Sequence, residues 1–468
     1  MGARAVSAMA HDEQEDCIEE AERVEEVERV EVDLAVAGAG ACGLMAALRA
    51  SENRDVVVAV LEKDAREGSN AAVSSGSLAA AGTRWQRDAG IKDSPQQHAD
   101  EILAQSGDER QRDLVEALCQ VAPDYVSWIA DSGYALEVGV DMTRKGMSVP
   151  RLHADPLRRG GGPLITHLRS LLAARDNVAL MEDAPVRSLQ VFGSGPAVTV
   201  MGLTARQGRR QVEVAAGRVV LATDGFAGNP ELMRRHCAAL GDPFFGGTSA
   251  STGDSVAWLE ELGVEFVNMG ACLRHGQVTV GHGTRVNPNL PWLGAVLVNT
   301  AGRRFVDEQA HGYSGLAGVI QAQPGQRAAM VWDAQAQETA RHSEMMRESA
   351  EAGAIRQASD VAALASALRV DQPVLEESLR PVLGRRSLQA PFHYAWLTHG
   401  VLTTQGGAAI DPRGRVLRPD GSPVRGLRAG GGVAVGLAGE RSEGYSSGNG
   451  LLAAFGMGWV IGTEVAAG

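Results

Sequence analysis

The stretch VDLAVAGAGACGLMAALRA at 32–50, followed by DVVVAVLEKD at 55–64, constrains the fold more than any other part of the chain. An apolar run, a glycine cluster, an apolar segment at helical spacing and a second apolar run predict strand, loop, helix, strand. Gly38, Gly40 and Gly43 fit G-x-G-x-x-G. The first glycine permits a tight turn, the second lets a pyrophosphate approach the backbone, and the third lets the helix lie against the strand. The helix N-terminus then faces the phosphates. Glu62 closes the second strand about twenty residues on, where a carboxylate can accept hydrogen bonds from an adenosine ribose. The expected fold class is α/β, with a Rossmann-type dinucleotide domain.

Charge and cysteine usage narrow the function. The formal charge is −13, but residues 12–33 hold twelve Asp and Glu against Arg23 and Arg29, so the rest of the chain is close to neutral. Such a body offers no broad basic field, which excludes nucleic acid as a partner. Residues 1–30 read as an acidic mobile leader. The five cysteines are scattered, with no C-x-x-C pair, and no three histidines are spaced for a metal. No metal is expected, and a reduced cytoplasm is. The opening MGARAVSAMA carries no export pattern, and the apolar stretch 451–468 contains Glu464 and reads as a buried terminal helix rather than a membrane span.

Helices are expected at about 96–106 and 110–132, the second kinked or broken at Pro123, and at 333–351 and 358–369. Residues 270–395 are richer in Arg, His and Gln and read as an inserted α+β cap. The dinucleotide domain would then comprise 31–269 and 396–468. Gly68–Ser77, GSNAAVSSGS, is a run of small residues suited to lying against a planar ring and ribityl chain, which favours FAD over a nicotinamide. Ser447, Gly448, Asn449, Gly450 and Leu451 open the last helix, whose N-terminal dipole end would face the N1/C2=O edge of an isoalloxazine.

AGAGACG, LEKD, EGSNAAVSSGSLAAAGT, VVLATDGFAGN, STGDSVAWLEELG, GAVLVNTAGRRFVDE and THGVLTTQGGAAIDPRGRVLRPDGSPVRGL, in that order, resemble the fumarate reductase/succinate dehydrogenase flavoprotein superfamily, which includes the 3-ketosteroid dehydrogenases. The likeness spans about 32–468. It implies that Gly38, Gly40, Ala41, Gly43, Glu62 and Lys63 hold the ADP half of FAD. By the same likeness Ser69, Asn70, Ser74 and Gly76 lie along the flavin, and Ala222, Thr223 and Gly225 lie near the adenosine side. Some members attach FAD through a histidine at about 67–72; this chain has none between His11 and His98, so noncovalent FAD is expected. Gly432 stands where the similar string ends in a glutamate.

The superfamily adds or removes hydrogen across a carbon–carbon bond beside an electron-withdrawing group. Three places where its dicarboxylate enzymes carry arginine read here as QAHG at 309–312, NPNLP at 287–291 and GYS at 444–446. Tyrosines stand nearby instead. In the ketosteroid-like branch, matching motifs make Tyr313 the base and make Tyr445, with the amide of Asn449 or Gly450, the group that holds a ketone oxygen. His311 and Arg304 are the nearest candidates in sequence to stabilise a Tyr313 phenolate. The departure of YSSGNG from the branch's Y-P-G-P-G leaves a steroid, a smaller ketone or another activated substrate open. A fumarate-reductase-like enzyme using His275, Arg274, Arg285 and His311 is the alternative, and a catalytically silent flavoprotein that binds a partner is a third. The expected partners are a small-molecule substrate and an electron donor or acceptor outside this chain.

Overall fold

The structure, a computed structural model, describes residues 26–66, 68–140, 143–380 and 387–468. Its first unit is the expected one: strand β1 (Glu26–Ala37), helix α1 (Ala41–Ala50) and strand β2 (Val58–Leu61), with β1 and β2 parallel from Leu34↔Val58 to Ala37↔Leu61. Helix α2 (Arg112–Asp131) follows, then β3 (Val178–Met181), parallel to β2, and the hairpin β4 (Thr199–Gln207) and β5 (Arg210–Leu221). Strand β5 runs parallel to β1 along its whole length.

The cap sheet is mainly antiparallel. Strand β6 (Cys272–Thr279), helix α3 (Glu308–Gln321) and strand β7 (Arg327–Asp333) precede the long β8 (Phe392–Thr404), which pairs with both β6 and β7. The chain then returns to the first sheet through β9 (Pro423–Ala429), which lies parallel to β5 at Leu427↔Val219, and ends in helix α4 (Asn449–Ala466). The parallel core therefore has the order β3-β2-β1-β5-β9, with its strand ends facing the cap. Helix α4 lies against α1 where Gly458 and Gly462 leave room: a Cβ there would come within 2.4 Å of Cys42 O and 2.5 Å of Ala46 O.

Five expectations need correction. The leader ends before Glu26, because Glu26–Val30 already pair with β5 and Arg29–Glu213 and Arg210–Glu28 ion pairs hold the charged edge; residues 1–25 lie outside the described residues. The boundary at 395 cuts through β8, whose last residues still pair with β6. The boundary at 270 is also late for the cap sheet, since Phe244 and Phe245 pair with Gly400 and Val401 of β8. Helix α2 runs unbroken through Pro123, its apolar face buried along Leu114, Leu118, Ala122, Tyr125 and Ile129, whereas the single helix expected at 333–351 is two, Ala334–Ala340 and Glu344–Glu351.

One buried ion cluster ties the segment after the cofactor loops together. The Arg151 side chain is fully buried and binds Asp93, also fully buried, and Glu101. Burial pushes the Glu101 carboxyl up, but hydrogen bonds from Arg151 and Ser148 and the guanidinium charge outweigh it and bring the carboxyl down to about 2. Its contribution is present above the unfolded carboxyl value of about 4.3 and is lost as pH falls from there through about 2. Melting temperatures measured across that window should therefore converge for wild type and Glu101→Gln; a gap that stays constant with pH would contradict the coupling.

Candidate active site

A cleft, open at its mouth, runs between the parallel sheet and the cap. At one end β1 turns at Gly38, whose φ of 103° and 2.3 Å approach of a would-be Cβ to Ala222 O leave glycine as the residue that fits. A Cβ at Gly43 would meet Gly38 O at 1.9 Å, so this glycine seats α1 on the turn and stays off the cleft wall. Gly40 and Ala41, at the start of α1, line the cleft, and so do Ala222 and Thr223 across from them. Glu62 lines it too. Its carboxylate accepts from the Ala39 amide at 2.7 Å and the Asp64 amide at 3.0 Å, stapling the glycine loop to the end of β2. Lys63 reaches the wall with its ammonium bound to Thr252 Oγ1 at 2.6 Å and Asp254 at 2.8 Å.

Ser69, Asn70, Ser74, Gly450 and Leu451 also line the cleft. The polar side chains in this loop brace it: Asn70 Nδ2 donates to Asp224 at 2.5 Å and Ser74 Oγ donates to Ala71 O at 2.7 Å. Three expected cofactor contacts lie behind the wall. Gly76 packs on Gly160, where a Cβ would be 2.6 Å from the carbonyl oxygen; Gly225 packs on Thr404; Gly448 packs on Ala79. Asn449 is buried at the start of α4. The wall also contains residues that sequence reasoning did not single out: Asp224, Thr248, Trp258, Gly431 and the end of β8 at 402–405. Seven glycines on the wall leave a smooth cradle for a flat, extended dinucleotide, and the start of α1 presents the free N–H groups that a pyrophosphate needs. The residues present fit FAD.

A second, much smaller pocket adjoins this cleft, and Tyr445 lines both. Its wall includes Tyr313, His311, Ser447, Arg144, Lys145 and Trp292. Tyr313 is placed by a break in α3 at Gly312, whose φ of 62° and ψ of 170° turn the chain between two helical stretches. The Tyr313 ring stacks on His275, with centroids 4.9 Å apart, and meets Tyr445 edge-on at 6.4 Å. Tyr445 Oη accepts from the Gly450 amide at 3.2 Å, so the start of α4 is bonded to the tyrosine pair.

The electrostatics separate the two phenols. Burial raises Tyr313 above the usual phenol range, but hydrogen bonds from Ser447 and Tyr445 and the charges of Arg144 and Arg285 favour its ionised form. Tyr445 is raised by burial and by the neighbouring Tyr313 charge, with the Gly450 amide working against them, so it remains the neutral hydroxyl of the pair. The expected Arg304 partner is elsewhere: its guanidinium binds the buried Glu308 carboxylate, which also accepts from the Leu297 amide at 2.9 Å. His275 is buried and pushed down to about 3 by desolvation and the Arg285 charge, and its Nδ1 accepts from the Gln277 amide at 3.1 Å. It lies under Tyr313 as a neutral imidazole whose Nδ1 is already occupied. Arg274 lines neither pocket; it donates to Gln321 at 2.8 Å and faces His399 Nδ1 at 3.1 Å, while Arg285 lines the main cleft.

Among the described residues, no group of three or more His, Cys, Asp or Glu is arranged to hold a metal, and no helix is long and apolar enough to cross a membrane. Residues 33–450 match the family described as FAD binding domain. The chain is similar to an NADH:fumarate oxidoreductase of Klebsiella pneumoniae, 29% identical over 428 residues that make up 87% of this chain and 45% of that one. It thus spans less than half the length of that relative. It is 26% identical over 457 residues to a fumarate reductase (cytochrome) of Shewanella frigidimarina, covering 93% of this chain and 77% of the other. Its fold matches the open conformation of a flavocytochrome c3 fumarate reductase with a TM-score of 0.78 at 23% identity, over 97% of this chain and 81% of that one. It also matches a 3-ketosteroid-Δ4-(5α)-dehydrogenase from Rhodococcus jostii with a TM-score of 0.74 at 22% identity, over 93% and 97%. The chain is a member of the FAD binding domain family, within the fumarate reductase/succinate dehydrogenase flavoprotein superfamily.

Proposed function

We propose that this protein is an oxidoreductase that holds FAD noncovalently and adds or removes hydrogen across a CH–CH bond beside a carbonyl. The observation that carries the reading is the tyrosine pair at the junction of the two pockets, bonded to the first turn of α4. When bound, FAD supplies the hydride acceptor or donor for one carbon. Tyr313 moves the proton at the neighbouring carbon. Its ionised form draws on the Arg144 and Arg285 charges and the Ser447 and Tyr445 hydroxyls. Tyr445 accepts from the Gly450 amide, and its one hydroxyl proton, turned to Tyr313 in the free protein, is given to the substrate oxygen when substrate binds, which polarises the carbonyl and acidifies the adjacent C–H while Ser447, Arg144 and Arg285 still support the Tyr313 phenolate. His311 and Ser447 complete the pocket wall. The buried free cysteines are compatible with a cytoplasmic setting, and the electrons pass to or from a partner outside this chain.

A second reading, reduction of an unsaturated organic acid, is favoured by Arg285 on the cleft wall beside Tyr313 and by the fumarate reductases among the relatives. Anaerobic spectra separate the two. Bleaching of the bound flavin by a saturated cyclic ketone supports the first; reoxidation of the reduced protein by fumarate, with no ketone response, supports the second.

Two expected results follow from the same geometry. Denaturing the flavin-loaded protein with acid should release all FAD into the supernatant; flavin retained in the pellet would contradict noncovalent attachment. Tyr445→Phe removes the hydroxyl that accepts from Gly450 and should lower kcat by about 10²-fold with FAD content unchanged. Unchanged kcat in this variant would remove Tyr445 from the reaction.

A further inference from the structure

We infer that Asp224 is a cofactor-binding residue, its carboxylate accepting a hydrogen bond from a hydroxyl of bound FAD in the volume that a side chain at Gly432 would otherwise fill. The inference rests on the FAD reading above. Asp224 sits in the turn after β5 and lines the main cleft. Its φ of 65° is a conformation that glycine adopts freely and an aspartate adopts at a cost. A strained, half-buried carboxylate on a cofactor cleft needs a reason, and the turn by itself would be better served by glycine.

The reason lies beside it, at Gly432. A Cβ built on Gly432 falls 2.2 Å from Asp224 Oδ1 and 2.7 Å from the Gly225 nitrogen. Positions 224 and 432 therefore share one side-chain volume, and one carboxylate at most fits in it. The sequence places glycine at 432, where the resembling string carries a glutamate, and places the acid at 224 instead. Burial raises the Asp224 carboxyl, and its ionised form is supported by the Gly225 amide, which reaches Oδ1 at 2.9 Å, by Asn70 Nδ2, which reaches Oδ2 at 2.5 Å, by the Ser251 hydroxyl and by the Lys63 charge. These three donors leave about one of the four lone-pair sites of an ionised carboxylate open towards the cleft. FAD is rich in hydroxyl donors along its ribityl and ribose parts, and a half-buried carboxylate gains from such a donor. The role also explains Asn70, whose Oδ1 accepts from the Thr248 amide at 3.0 Å while its amide group steadies Asp224.

The test is FAD affinity, measured by flavin fluorescence on apoprotein, for wild type, Asp224→Gly, Asp224→Asn, Gly432→Glu and the double swap Asp224→Gly/Gly432→Glu. Asp224→Gly relieves the backbone, so its apoprotein should melt no lower than wild type, yet its Kd for FAD should rise roughly tenfold or more. Asp224→Asn keeps the size, loses the charge and should also bind more weakly. Gly432→Glu alone collides with Asp224 and should bind worst. The double swap should bind better than the sum of the two single effects, after the turn shifts by a few tenths of an ångström away from the Gly225 nitrogen. Wild-type Kd in Asp224→Gly, or in Asp224→Asn should the glycine variant fail to fold, overturns the inference. So does a loss of affinity matched by an equal loss of apoprotein stability, which would make Asp224 a structural brace. Wild type that binds no FAD would instead overturn the cofactor reading itself.

Discussion

Tyr313→Phe should lower kcat on the order of 10²- to 10⁴-fold while the protein keeps its fold and its FAD. The phenol oxygen is what is removed; the ring that stacks on His275 and meets Tyr445 remains. Because burial holds the Tyr313 hydroxyl above the ordinary phenol range, its share of the reaction has a definite pH sign. In the direction that withdraws hydrogen the phenolate is needed, so kcat/KM should climb as pH rises into the alkaline range. In the direction that adds hydrogen the neutral phenol is needed, and the rate should fall over the same range. The Phe variant should lose that limb in both directions. Unchanged rates in Tyr313→Phe would point to the catalytically silent flavoprotein, and a lost rate with an intact pH limb would assign the titration to another group.

Gly43→Val should have the other large effect, through the fold. A Cβ at this position lies 1.9 Å from Gly38 O, in the turn that the pyrophosphate must approach, and 3.1 Å from a Val36 methyl at the end of β1. Relief requires α1 to lift from β1, which would also disturb α4 where it lies on α1 at Cys42 and Ala46. Overpacking of this kind costs about 1–3 kcal/mol and sometimes more. The variant should melt well below wild type and retain no FAD after purification. Full FAD occupancy at wild-type stability would contradict the assignment of the third glycine to helix seating.

The first βαβ unit was legible because everything that specifies it is local: apolar period, glycine spacing and Glu62 all fall within 32–62. The tyrosine pair was legible because few tyrosines exist and two stand in motifs. Their surroundings were not. Arg304 looked like a partner for Tyr313 by nearness in sequence, but it sits in a bridge to Val298 ahead of α3 and its guanidinium pairs with Glu308 at the start of that helix. Arg144 comes from a loop with no periodicity and meets Tyr313 only through the packing of the cap. Asp224 was hidden in a segment read as a glycine turn, and its importance depends on Gly432, more than two hundred residues away in sequence and beside it in the fold. Strand β8 crossed the expected domain boundary because its end, rich in threonine and glycine, resembles a return loop while its hydrogen bonds belong to the cap.

Anaerobic mixing of FAD-loaded protein with a panel of cyclic ketones, followed by the flavin's visible absorbance, tests the central claim most directly. The expected result is one FAD per chain, bleaching by at least one ketone in wild type, and a rate lower on the order of 10² or more in Tyr313→Phe. A protein that stays colourless after reconstitution, or that bleaches equally fast with and without the Tyr313 hydroxyl, would contradict it.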